Sequence, residues 1–112
     1  MSNPNFQKCL EACIECARAC EACADACLSE DNVAMMAECI RTDRDCAQLC
    51  WTTSALLARD SEFSGELCAV CAKVCQACAN ECAKHDHQHC QKCAEACRQC
   101  AEACGNMKAA MV

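Results

Sequence analysis

Cysteines recurring in alternating steps of three and four, helix-forming residues between them, and links of only a few residues predict an all-α chain. The architecture that follows is an antiparallel up-down-up-down four-helix bundle with Cys residues lining the interior. At 112 residues the sequence makes one such domain, spanning 1–112. A strand would need period two, and no segment shows it.

The first run is Cys9, Cys13, Cys16, Cys20, Cys23 and Cys27. The third is Cys68, Cys71, Cys75, Cys78 and Cys82, and the last is Cys90, Cys93, Cys97, Cys100 and Cys104. Steps averaging about 3.5 residues trace the inward seam of a helix packed in a bundle. The second helix keeps the register with Cys39, Cys46 and Cys50 but carries Asp43 where another Cys is expected. Its seam continues to Met35 and Met36 upstream and to Thr53 and Leu57 downstream. Asp43 has two readings: it accepts a thiol hydrogen bond or tunes a nearby ion, or it is a polar residue paired with Arg41 or Arg44.

Local chemistry sets the boundaries. Asn3 suits an N-cap with Pro4 at the first helical position. Ser29 to Asn32 holds the first turn, Ser61 caps the third helix, and Asp86, set among His85, His87 and His89, caps the fourth. Gly105 falls near the C-terminal end. Helices over 4–28, 32–59, 62–84 and 87–108 follow, and links this short force neighbours antiparallel. That topology gathers Met35, Met36, Cys27, Cys82, Cys90 and the three His at one end. Phe6, Leu56, Leu57, Phe63, Leu67, Met107 and Met111 collect at the other, as an apolar plug. His85, His87 and His89 read either as loading ligands at a mouth, with Met35 and Met36, or as solvated and capping residues. Trp51, off the seam, reads as a packing or subunit-interface residue.

Nineteen Cys stand against two Phe, one Trp and no Tyr, so cysteine must occupy most inward positions. Such density usually marks a secreted disulfide scaffold. Against that, no basic and apolar signal segment precedes Cys9, and an odd count leaves a thiol over. Residues i and i+4 also hold their Cβ atoms about 5–6 Å apart, beyond the ~3.8 Å of a disulfide. A cytoplasmic location with reduced thiols is the expectation. The net charge of −6 and the lack of a basic stripe with aromatics exclude a general nucleic-acid binder. No apolar run approaches the ~18 residues that span a membrane.

One buried Cys is an ordinary small hydrophobe, but a core of nineteen small thiols is poorly filled without something inside it. A metal ion between two sulfurs supplies the reach that a disulfide lacks. Deprotonating nineteen thiols would bury nineteen negative charges, and nineteen Cu(I) ions would return the protein to −6. Soft thiolates select Cu(I). Zinc needs closed tetrahedral sites, and a second helix with three Cys allows at most three layers drawing one ligand from every helix. Sequence leaves zinc and iron–sulfur clusters open. By class, the chain is a storage protein, a copper chaperone, or a thiol enzyme. No thiol is singled out as a nucleophile, and no phosphate-binding Gly loop or isolated acid–base pair is present, so an enzyme is not expected.

The run from Cys9 to Cys27, the segment Cys39-Ile40-Arg41-Thr42-Asp43-Arg44-Asp45-Cys46, and Glu81-Cys82-Ala83-Lys84-His85-Asp86-His87-Gln88-His89-Cys90 together resemble the bacterial cytosolic copper storage proteins. The similarity covers nearly the whole chain. It implies a Cys-lined four-helix bundle storing multiple Cu(I) ions per chain without catalytic turnover, and a homotetramer of bundles. The copper donor and acceptor are not implied by it.

Overall fold

The computed structural model describes residues 4–110, and the side chains of 5–107. The expected cap at Asn3 and the plug residue Met111 lie outside these. Helix α1 (Pro4–Cys27) opens on Pro, whose fixed φ suits a first helical turn. It tightens at its end, where the amides of Leu28, Ser29 and Glu30 reach the carbonyls of Asp25, Ala26 and Cys27.

The second element begins differently from the expected continuous helix. A 3-10 turn (Val33–Met36) precedes α2 (Ala37–Ala58). A 3-10 turn holds about three residues rather than 3.6, so the α2 seam cannot be extended through it by counting fours. Met36, three residues before Cys39, is buried, whereas Met35 is 70% exposed. Placing Met35 on the inward seam is therefore corrected.

Asp60 closes α2 in the left-handed region at φ 56. The Ser61 amide bonds the Leu56 carbonyl at 2.9 Å and the Asp60 amide bonds Leu57 at 3.1 Å, a Schellman ending with Asp in the usual Gly place. Helix α3 (Ser64–Cys82) starts later than expected, after Phe63, and Ser61 caps the turn that leads into it, its carbonyl accepting the Ser64 amide at 3.1 Å. The Ser61 hydroxyl accepts the Phe63 amide at 3.1 Å. Helix α4 (Gln88–Ala110) likewise starts one residue late and runs on past Gly105. Asp86 makes no side-chain hydrogen bond among the described residues. Gln91 braces the turn by donating to the His85 carbonyl at 2.6 Å.

Consecutive helices pack against each other and α4 closes back on α1, giving the antiparallel bundle, 46 × 19 × 18 Å. Every cysteine is buried, each with at most 1% exposure. Ala17, Ala47, Ala79 and Ala94 are buried beside the seams, where small side chains let the helices approach. No helix among the described residues is long and apolar enough to cross a membrane.

Candidate metal centre

The bundle interior is a column of sulfur. All nineteen thiols are unpaired, with no disulfide among them. Sulfurs from different helices lie close: Cys46–Cys75 at 3.5 Å, Cys16–Cys46 and Cys16–Cys97 at 3.6 Å, Cys39–Cys82 at 3.6 Å and Cys13–Cys100 at 3.7 Å. Two metal–thiolate bonds of about 2.3 Å span at most about 4.6 Å, so one ion fits between such partners without moving the backbone.

Ligand quartets overlap along the axis. Cys23, Cys27, Cys39 and Cys90 form one near the 28–36 and 83–87 links. Further in come Cys20, Cys78, Cys93 and Cys97, then Cys16, Cys20, Cys46 and Cys97, then Cys16, Cys46, Cys50 and Cys75. Cys13, Cys71, Cys100 and Cys104 follow, and Cys9 and Cys68 end the column 3.8 Å apart. Cys16, Cys20, Cys46 and Cys97 each serve at least two quartets. Shared sulfurs suit monovalent ions bridged by thiolates better than discrete, closed tetrahedral zinc sites. Burial is the leading cause that raises the Cys27 and Cys90 thiols above their ordinary range, followed by the neighbouring Cys23 and Cys39 sulfurs. A cation is what would release those protons.

Asp43 stands inside the column with no exposed surface. Its Oδ1 accepts from Cys78 at 3.2 Å and from Cys82 and Cys93 at 3.3 Å each, and Cys39 donates to Oδ2 at 3.9 Å. Arg41 is turned outward to Glu38 at 3.2 Å. The thiol-acceptor reading of Asp43 is therefore the one the packing produces. Burial first, then the charges of Cys93 and Cys78, push its carboxyl up to about 12, so it is neutral at ordinary pH.

The roof over the first quartet is polar. His89 points Nδ1 at Cys23 Sγ (3.4 Å) and Cys90 Sγ (3.5 Å), and Nε2 at Glu30 Oε2 (2.8 Å). With Nε2–H donating to the carboxylate, the Nδ1 lone pair faces the sulfurs, which is the carboxylate–histidine arrangement that orients a metal ligand. Burial alone would lower the His89 pKa, but hydrogen bonds to Cys23 and Glu30 outweigh it and leave it raised. His87 stacks on His89 with centroids 5.4 Å apart and reaches Glu30 Oε1 at 3.4 Å. His85 pairs instead with Glu81 at 3.0 Å. A cavity of about 270 Å³ is lined by Met35, Met36, His85, His87, Glu30 and Asp31. The structure thus brings the three His and both Met to one end, with His89 on the sulfurs and Met35 at the rim.

Glu30 was read only as part of a turn. It holds His87 in the 83–87 link and His89, 59 residues away in the first turn of α4, a pairing that no local pattern encodes. The acids Glu30 and Asp31 in the turn that the topology sets against a three-His turn were the available signal.

The family model for Csp, copper storage protein, matches residues 2–109. The chain is 47% identical to the Cu(I)-bound copper storage protein BsCsp3, with a TM-score of 0.89, covering 93% of this chain and 98% of that one. It is 49% identical to the Streptomyces lividans copper storage protein loaded with ten copper equivalents, with a TM-score of 0.91, covering 94% and 84%. The cysteine-rich YhjQ of Bacillus subtilis is 48% identical over 68 residues, which are 61% of this chain and 63% of that protein. A sulfur-lined bundle matched over almost its whole length places the chain in the copper storage protein family.

Proposed function

We propose that this chain stores Cu(I) as cargo in the cytosol, holding many ions at once on the thiolates of its nineteen cysteines. The observation that supports it is the continuous column of buried, unpaired sulfurs, nearest neighbours 3.5–4.0 Å apart, in which several thiols are shared between possible sites. Where each incoming Cu(I) replaces one thiol proton, the ion cancels the thiolate charge it creates, so filling the column towards one ion per thiol does not accumulate buried charge. The thiols are near-equivalent and fully enclosed, which suits retention rather than turnover. BsCsp3 and the Streptomyces lividans protein carry copper in the same fold, the latter described as a cytosolic copper storage protein. Copper loads at the roof, where His89 joins solvent-facing groups to Cys23 and Cys90. The exposed Trp51, Ile14 and Val70 favour association into a homotetramer.

Anaerobic titration of the reduced protein with Cu(I) against a chromophoric chelator tests storage. The expected capacity exceeds about ten ions per chain, with thiolate-to-copper absorption rising in step. Saturation at one or two ions would make the chain a chaperone, and stoichiometric preference for Zn(II) would change the cargo. Light scattering on the same material checks the tetramer.

A further inference from the structure

Beyond the last sulfurs the four helices meet in one more layer. Phe6 lies three residues before Cys9 on α1, Thr53 three after Cys50 on α2, Ser64 four before Cys68 on α3, and Met107 three after Cys104 on α4. Thr53, Ser64 and Met107 have no exposed surface, and Leu57 has 1%. The hydroxyls of Thr53 and Ser64 have no hydrogen-bond partner among the described residues. A plug that served only to exclude water would gain from Val and Ala here, because each buried unpaired hydroxyl costs about 1–3 kcal/mol.

The sulfur column supplies a reason for both features. Ions in its middle have sulfurs on both sides along the axis. An ion between Cys9 and Cys68 has sulfur behind it, with Cys104 3.5 Å from Cys9, and the Met107 layer in front. Two thiolates on one Cu(I) also leave a net charge of −1 at this buried terminus. A neutral thioether completes a third ligand without adding charge, and two free hydroxyl dipoles can donate to the terminal thiolates.

We propose that Met107 is a copper ligand: a Cu(I) ion bridging Cys9 and Cys68 takes the Met107 thioether as its third donor, with Thr53 and Ser64 donating to the thiolates of that closing layer. The two thiol protons leave to solvent as the ion binds. This site rests on the storage reading and adds a sulfur outside the cysteine set.

The test is selenium X-ray absorption on the full chain grown with selenomethionine, with Met35, Met36 and Met111 replaced by Leu. Of the five Met, Met107 and Met1 then carry the selenium, and Met1 is common to this protein and its control. The control also carries Met107→Leu, a swap that conserves volume. At loading above about ten Cu(I) per chain, the expected result is a copper neighbour at direct-bond distance around selenium, absent from the control. Equal copper content with only light-atom neighbours around selenium would overturn the Met107 site while leaving storage intact. Failure of both proteins to take up more than one or two ions would overturn storage, and the site with it.

Discussion

At the end formed by the 28–36 and 83–87 links, the first quartet is roofed by groups held through hydrogen bonds: His89 and His87 on Glu30, and His85 on Glu81. At the opposite end, Cys9 and Cys68 are covered by Phe6, Leu57 and Met107, held by packing. The number of groups is similar, but the free energy of opening is not. A hydrogen bond exchanged with water is worth about 0.5–1.5 kcal/mol net. Uncovering a buried Leu, Phe or Met side chain costs roughly 1.5–3 kcal/mol. The roof therefore opens more readily than the plug, although both shut out solvent when closed. A container that must admit ions without unfolding separates the two tasks, with exchangeable polar contacts at one end and stability at the other.

The largest effect that would break this contrast lies at the plug. Leu57→Ala is expected to destabilise the copper-free protein by ~2–5 kcal/mol. Met35→Ala, at a side chain 70% exposed, is expected to stay within about 0.5 kcal/mol. Anaerobic chemical denaturation followed by circular dichroism measures both. Equal losses would mean that the roof bears as much of the fold as the plug.

Next in size is a pH effect from Asp43, on the roof side of the column. Its folded pKa of about 12 stands above the ordinary 3.8, so the folded protein binds the extra proton. The stability from this group is fully present below 3.8 and is lost as pH rises towards the folded value. Between pH 5 and 7 the decline is at most ~1.4 kcal/mol per unit. Asp43→Asn, which keeps a carbonyl acceptor for the thiols, is expected to flatten that slope. A parent protein whose denaturation midpoint is flat over this range would show that Asp43 ionises without penalty.

The loading rate bears on the comparison directly. Replacing Met35 and Met36 by Leu and the three His by Gln is expected to slow Cu(I) uptake about tenfold, ~1.4 kcal/mol of barrier, with nearly unchanged final capacity. Stopped-flow mixing with a buffered Cu(I) donor reads it. If this variant loads like the parent while Leu57→Ala loads faster, copper enters through the plug.

The seams were legible because a period near 3.5 residues is written by the cysteines themselves, and the antiparallel topology followed from short links. Asp43 was legible as a seam position but not as a four-thiol acceptor, since its partners come from α2, α3 and α4. Met35 misled because the 3-10 turn breaks the count before α2. The start of α3 was misplaced because Ser61 caps a turn ahead of the helix, its hydroxyl taking the Phe63 amide and its carbonyl the Ser64 amide. Ser64 carried no signal at all: a Ser near a helix start reads as a surface cap, and only packing buries it.

The smallest expected effect concerns Thr53, and its sign carries the information. In the copper-free protein its hydroxyl is buried without a partner among the described residues. Thr53→Val keeps the branched shape and removes that unpaired group, so it is expected to stabilise this form by about 1 kcal/mol. In the loaded protein the hydroxyl faces a layer that ends in thiolate, and a donor to a charged sulfur is worth more than a neutral hydrogen bond. The same substitution is then expected to weaken retention of the last ions, read as faster copper loss to a strong chelator at full loading. Thermal melts of the copper-free protein and chelator-driven release from the loaded one provide the two signs. Stabilisation in both states would make the layer a plain plug carrying a surplus hydroxyl. Destabilisation of the copper-free protein would show that Thr53 already has a partner there, such as a bound water, and that the hydroxyl is not held in reserve for copper.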